Sequence, residues 1–169
     1  MLLNHKSTES DPLPPLPNLN IAWVGDANNI INSMLVTYPR LGLNVKVATP
    51  KDYPILPDVL EYSKQHGNVE VYSDPVLAVK NADIIVTDTW VSMGQEAEHQ
   101  QRLKSFKGFQ VTEELGKHAK PDWKFMHCLP RKPYEVDDTV FNGPRSLIYP
   151  EAENRKYTVM AVYEALMNK

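Results

Sequence analysis

At 169 residues, with 42% apolar and 23% charged side chains and a formal charge of −3, the chain is one domain of ordinary size, long enough to bury a core without staples. That balance gives no push towards nucleic acid or a membrane surface, and no apolar stretch approaches the ~20 residues a bilayer span needs. A single cysteine excludes an internal disulfide, and the first 18 residues carry neither a signal-type apolar core nor an arginine-rich amphipathic pattern.

The segment Asp11-Pro-Leu-Pro-Pro-Leu-Pro17 follows a polar stretch and denies the backbone its donors, so residues 1–18 read as a linker or interdomain segment. From Leu19 the pattern alternates between strand and helix periods. Leu19 to Val24 reads as a strand. Asp26 to Leu41 reads as a helix turning Ile30, Met34, Leu35, Tyr38 and Leu41 to a core, with Asp26 or Asn28 as cap and Gly42 as its stop. Val45 to Ala48 is a second strand, Asp58 to Gln65 a helix, and Val69 to Tyr72 a third strand. Asp74-Pro75 opens a short helix, because the aspartate can cap free N–H groups and proline suits the first helical position. Ile84 to Thr87 is the next strand and Glu96 to Phe106 a helix. Thr112-Glu-Glu-Leu starts another. Trp123 to Met126 is a strand, Ser146 to Ile148 a short one, and Asn154 to Met167 a closing helix.

Strands separated by helices of this length require crossover connections. The expected fold is therefore α/β, an open parallel-sheet three-layer domain with helices on both faces. Its topology is Rossmann-like without a dinucleotide fingerprint, since Trp23-Val-Gly-Asp-Ala-Asn-Asn-Ile30 has one glycine where that fingerprint needs three. Ligands in such folds sit beyond the C-terminal strand ends. Three polar segments follow strands and can converge there: Gly25 to Asn29, Asp88 to Gly94, and His127 to Arg131.

Each candidate has a structural and a chemical reading. Asn29 could orient an amino-acid substrate or serve the turn. Asp88 could bind loop amides or hold an ammonium group. Ser92 offers a hydroxyl, Met93 a backbone amide, and Trp90 reads as packing. Cys128 invites a thiol-nucleophile reading with His127 as base, but neighbours on extended backbone point to opposite faces, and a buried inert cysteine is the alternative. No histidine cluster has the spacing of a zinc site, and His99 reads as a solvated helix-face residue. Glu151 and Arg155, four apart, could form a surface ion pair, or Arg155 could hold a phosphate or polarise a carbonyl.

Together Asp88-Thr-Trp-Val-Ser-Met-Gly94, His127-Cys-Leu-Pro-Arg131, Glu151-Ala-Glu-Asn-Arg-Lys156 and Gly25-Asp-Ala-Asn-Asn29 closely resemble ornithine carbamoyltransferase, over roughly Leu19 to Lys169. The resemblance implies an ornithine-binding α/β domain over 19–150. It also implies a C-terminal helix over 151–169 that packs on an N-terminal carbamoyl-phosphate domain. It implies transfer of the carbamoyl group of carbamoyl phosphate to the side-chain amine of L-ornithine, giving L-citrulline and phosphate, as in arginine biosynthesis or the urea cycle. Asn29, Ser92 and the Met93 backbone would hold the amino-acid end of ornithine, and Asp88 would orient its amines. Cys128 would lie by the side-chain amine and carbamoyl group as a non-covalent partner, with Leu129 offering its carbonyl. Arg155 would reach the carbamoyl oxygen.

By the same resemblance no cofactor or metal is expected, nor nucleic acid or membrane as partner, and the full enzyme would be a homotrimer. It would lie in the mitochondrial matrix if eukaryotic and in the cytoplasm otherwise. The family's Ser-Thr-Arg-Thr phosphate loop and His-Pro-x-Gln motif do not occur here, so the chain is expected to be nearly inert alone. Three alternatives stand beside this reading: a non-catalytic amino-acid-binding or regulatory module of the same fold, a related carbamoyltransferase for another amine, and an unrelated thiol enzyme using Cys128.

Overall fold

The computed structural model describes residues 18–168. The expected linker over 1–18 therefore lies, apart from Asn18, outside the described residues. Five strands, β1 (Asn20–Val24), β2 (Asn44–Ala48), β3 (Val69–Tyr72), β4 (Ile84–Thr87) and β5 (Lys124–His127), form one parallel sheet in the order β3-β2-β1-β4-β5. Both faces are covered. Ile21 and Trp23 of β1, Val45 and Val47 of β2, and Val86 of β4 pack on one face with Ile31, Met34 and Leu35 of α1 (Asn29–Thr37). Their alternate neighbours Ala22, Val24, Ala48 and Ile85, with Phe125, pack on the other face. There they meet α3 (Pro75–Val79), following α2 (Pro57–His66), together with Phe106 at the end of α4 (His99–Ser105) and Leu115 of α5 (Glu113–Gly116). Burial on both faces is why these strands read as apolar runs and not as strict alternation.

The order reverses between β1 and β4, each leading away from the centre in opposite directions, and this opens a crevice at their C-terminal ends. Gly25 makes the first turn there. Its φ of 156° is one that L side chains rarely adopt, and a Cβ would press on Thr87 Oγ1 at 3.2 Å.

Four sequence expectations need correction. The helix expected over Asp26 to Leu41 starts at Asn29, because Asn28 supplies the cap, and ends at Thr37. Pro39 lacks an N–H to continue it, so a 3-10 turn over Pro39–Leu41 follows and leaves Leu41 52% exposed, outside the core. The strand expected at Ser146 to Ile148 is a single bridge from Ser146 to Phe125. The closing helix, α7 (Ile148–Met167), begins at Ile148, six residues before Asn154: Pro150 sits in the first turn, where amides have no intrahelical partner and a missing N–H is harmless. Finally α6 (Asp138–Asn142) was not expected; Asp137 caps it by accepting from Val140 N at 2.7 Å.

The first turn of α7 is docked, with Ile148 in the core, but Tyr157, Met160, Val162, Tyr163 and Leu166 are exposed. A helix with so little of its length buried draws its protection from its first turns alone. Amide exchange of the monomeric chain should therefore be slow in β1, β2 and β4 and fast in α7 beyond about Tyr157. Strong protection along all of α7 in a proven monomer would contradict this.

Candidate active site

The polar segments after β1, β4 and β5 meet at the crevice. After β1, Asn28 has two duties. Its Oδ1 accepts from Ile30 N and Ile31 N at 3.0 and 3.3 Å, capping α1, while its Nδ2 donates to Asp88 Oδ2 at 2.8 Å. Asn29, next along, is exposed at the crevice mouth. Asp88 is 6% exposed and pairs with no Lys or Arg among the described residues. Burial pushes its carboxyl above the ordinary carboxylate range, against the pull of the Thr89 amide and Asn28.

Beyond Asp88 the loop leaves Ser92 half-buried and Met93 97% accessible. Trp90 turns inward and stacks on Phe106 with centroids 5.2 Å apart, so its role is packing. Two buried charges fix the loop's course. Arg102 of α4 reaches Trp90 O at 2.9 Å and Asp26 Oδ1 at 3.2 Å, with its guanidinium 4.4 Å from the centre of the Tyr53 ring. Glu135, fully buried, accepts from Trp90 N at 3.3 Å through one oxygen. Through the other it accepts from Lys132 N at 2.7 Å and holds His127 Nε2 at 3.2 Å.

That network decides what His127 can do. Its Nδ1 accepts from Leu129 N at 2.9 Å, so the ring proton resides on Nε2 and is donated to Glu135. Both nitrogens are spoken for, and neither is bonded to Cys128. The histidine organises the turn and is no base for the thiol. Leu129 completes the turn in the left-handed region, φ 54°, with its carbonyl taking no protein hydrogen bond among the described residues. Burial first, then the charges of Asp88 and Glu151, push the Cys128 thiol up to about 12. The residue is a neutral thiol at physiological pH.

Cys128, Leu129 and Pro130 form the wall between two cavities. One, of about 610 Å³, is lined by Asn29, Asp88, Ser92 and Met93. The other, of about 880 Å³, is lined by Glu151 and Arg155 of α7. The seven expected site residues thus border this pair of spaces, six on one side or on the wall and Arg155 on the other. Of the two readings left open for Glu151 and Arg155, the ion pair is not formed: Glu151 Oε2 instead accepts from His127 N at 3.1 Å. His99 is also corrected. It lines the smaller cavity and meets Tyr134 edge-on at 6.0 Å, so it is a rim residue and not a solvated one. Sequence reasoning named Asn28 as a cap but not its bond to Asp88, and it passed over Arg102, Glu135 and Tyr134. The only signals were the doubled asparagine, the Glu98–Arg102 spacing that pairs the two at 3.3 Å, and a glutamate set between Tyr134 and Val136. Among the described residues no group of three or more His, Cys, Asp or Glu is placed to hold a metal.

Two measurements follow. Alkylation of Cys128 in the folded chain should be slow at neutral pH and rise only well above pH 9, whereas denaturant should return its midpoint to near the ordinary 9.0, because the unfolded thiol loses both burial and its acidic neighbours. A thiol already reactive at pH 7 would overturn the geometry. Glu135→Ala should lower unfolding free energy by ~2 kcal/mol or more, since several buried donors lose their acceptor at once. Denaturant titration reads that loss.

Residues 17–166 match the family described as aspartate/ornithine carbamoyltransferase, Asp/Orn binding domain. The mitochondrial ornithine carbamoyltransferase of Schizosaccharomyces pombe is 55% identical over 154 residues, covering 88% of this chain and 47% of that protein. The mitochondrial ornithine transcarbamylase of Gallus gallus is 48% identical, covering 90% and 44%. A crystal structure of the mitochondrial ornithine carbamoyltransferase of Coccidioides immitis superposes with a TM-score of 0.79 at 46% identity, covering 88% of this chain and 47% of that one. The chain spans a little under half the length of these curated relatives. With sheet order, strand-end loops and sequence in agreement over nearly all of it, the chain belongs to the aspartate/ornithine carbamoyltransferase family, in the domain described as binding aspartate or ornithine.

Proposed function

We propose that this chain is the ornithine-binding half of an ornithine carbamoyltransferase, and that its two cavities receive the two substrates on either side of Cys128. Asp88 carries the reading. A carboxylate that is buried, held in place by Asn28 and left without a cationic partner is an incomplete ion pair, and a substrate ammonium completes it. The smaller cavity adds what an amino acid needs: the Asn29 carboxamide, the Ser92 hydroxyl and the Met93 amide for its α-amino and carboxylate groups. Ornithine's second amine then extends towards Cys128.

The chemistry follows from that placement. The side-chain amine resembles that of lysine, with a reference pKa of about 10.4, so the site has to select or generate its free form. The amine nitrogen attacks the carbamoyl carbon, and negative charge develops on the carbonyl oxygen. Arg155 across the wall stabilises it more strongly in the transition state than before it. The bond to the phosphate oxygen breaks, the nitrogen sheds a proton, and citrulline and phosphate result. The neutral thiol of Cys128 and the free Leu129 carbonyl partner hydrogens of the amine and carbamoyl group without forming a bond. A thiol held up to about 12 speaks against the covalent alternative.

By the same reading the remaining carbamoyl-phosphate ligands belong to a partner domain of the kind that completes the longer relatives, and the whole enzyme is a homotrimer. Several relatives are named as mitochondrial, which supports the matrix as the compartment in a eukaryote.

The purified chain should make citrulline from ornithine and carbamoyl phosphate only poorly, and pairing it with the carbamoyl-phosphate domain of a relative should raise turnover by orders of magnitude. Ornithine binding without citrulline in the paired assembly would instead mark a non-catalytic module. In that assembly Asp88→Ala should lose ~2–5 kcal/mol of transition-state stabilisation, as truncation of a buried charged partner does. Cys128→Ser should retain measurable turnover with a lower rate or weaker ornithine selection. A carbamoyl adduct on Cys128 in acid-quenched samples, forming and decaying at the catalytic rate, would refute direct transfer.

A further inference from the structure

Arg155 lies on a helix whose outer turns touch nothing, yet its usefulness depends on facing Cys128 across one cavity. Something has to hold the base of α7 in register with the end of β5. Ile148 anchors the helix start by packing, which fixes depth but not rotation. Among the described residues, the one side-chain hydrogen bond that joins α7 to the end of β5 is Glu151 Oε2 accepting from His127 N at 3.1 Å. Glu151 is half-buried, lines the same cavity as Cys128 and Arg155, and stands one helical turn before Arg155. Residues four apart share a helix face, so a contact that orients Glu151 also orients Arg155.

We propose that Glu151 is a positioning residue: its carboxylate latches the first turns of α7 to the His127 amide and so sets Arg155 opposite Cys128. The hydrogen bond lies just where β5 ends. β5 is an edge strand: Lys124 N donates to Asp83 O on the β4 side, whereas Phe125 N turns the other way to Arg145 O. The His127 amide two residues on thus faces the open edge, where a buried donor without a partner would be costly. The latch therefore satisfies a group the strand leaves open. What Arg155 is positioned for rests on the transferase reading; the latch itself does not.

The carboxylate also acts on its surroundings. It faces Cys128 and His127 at the end of β5, Asp88 at the end of β4 and the Tyr38 hydroxyl beyond α1, with Arg155 on its own helix. Burial, then Asp88, then Glu151 hold the thiol up, so removal of the Glu151 charge has a chemical signature beside the mechanical one.

The test compares Glu151→Ala and Glu151→Gln in the 169-residue chain. In Glu151→Ala, amide exchange at His127 and over 148–156 should accelerate roughly tenfold, the factor expected from one lost charge-assisted hydrogen bond, with β1 and β2 unchanged. Glu151→Gln keeps an acceptor oxygen and should stay within about threefold of the unmodified chain. Both variants should shift the alkylation midpoint of Cys128 downwards, an effect that a purely structural contact would not produce. Unaltered exchange at His127 and α7 in Glu151→Ala, or acceleration spread evenly over the sheet, would overturn the latch. If Glu151→Ala does not fold, a Glu151→Gln chain with unmoved thiol midpoint overturns it equally. None of these readouts uses carbamoyl transfer, so an inactive paired assembly would count against the transferase reading alone. With an active assembly, Glu151→Ala should raise KM for carbamoyl phosphate more than KM for ornithine and add little on top of Arg155→Ala.

Discussion

The crevice depends on one buried carboxylate. Glu135 sits with no exposed surface, and a lone charge there would be expensive enough to drive either protonation or rearrangement. It is tolerable because its two oxygens collect the amides of Trp90 and Lys132 and the Nε2 proton of His127. These donors belong to the loops that follow β4 and β5, neighbouring strands whose separate turns would otherwise be free to drift. A satisfied buried network has few alternative arrangements, so it sets the distance between Asp88 and Cys128 as firmly as the sheet sets that between their strands. Arg102 does the same one strand over, joining Asp26 after β1 to the Trp90 carbonyl.

The electrostatic character of the site follows from these ties. Asp26, Asp88 and Glu151 all have their carboxyls raised, chiefly by burial, and Asp26 and Asp88 feel one another. Among the described residues only Asp26 is answered by a lysine or arginine, namely Arg102. The remaining acidity is concentrated around Cys128, where it keeps the thiol neutral and makes the crevice a place for ammonium groups. On the proposed reading, a diamine entering here would relieve repulsion that the fold has built in.

Much of this was legible in the sequence, and the limits have physical reasons. The five strands and most helices followed from apolar runs and caps such as Asp74 and Thr112, whose partners are local. The strand-end segments could be placed together because a parallel sheet puts all its C-terminal strand ends on one edge. Asn28 was legible as a cap but not as a partner of Asp88, and Glu135 and Arg102 were not legible at all, since these roles are long-range: Asn28 bonds Asp88 sixty positions away, and Glu135 bonds Trp90 across forty-five. Glu151 was misread for the same reason. Its local option was Arg155, but the His127 amide at the end of β5 was a buried donor in need of a partner and took precedence. Local spacing proposes pairs; desolvation chooses among them.

The unequal anchoring of the two halves of the site is the last consequence. Asn29, Asp88, Ser92 and Met93 stand on loops rooted in the central strands and cross-tied by Glu135 and Arg102, so the amino-acid cavity is preorganised within this chain. Arg155 stands on a helix that Ile148 buries at its start and Glu151 ties to His127 N, and the outer apolar turns of that helix are exposed. Rigid on one side and lightly held on the other, the arrangement suits an order of events in which the amine is positioned by a fixed surface. On the transferase reading, Arg155 would be the lightly held element of the pair. On that same reading, a site built this way would hold an amino acid before it is competent to react, which would keep a reactive donor away from a half-assembled crevice and from water.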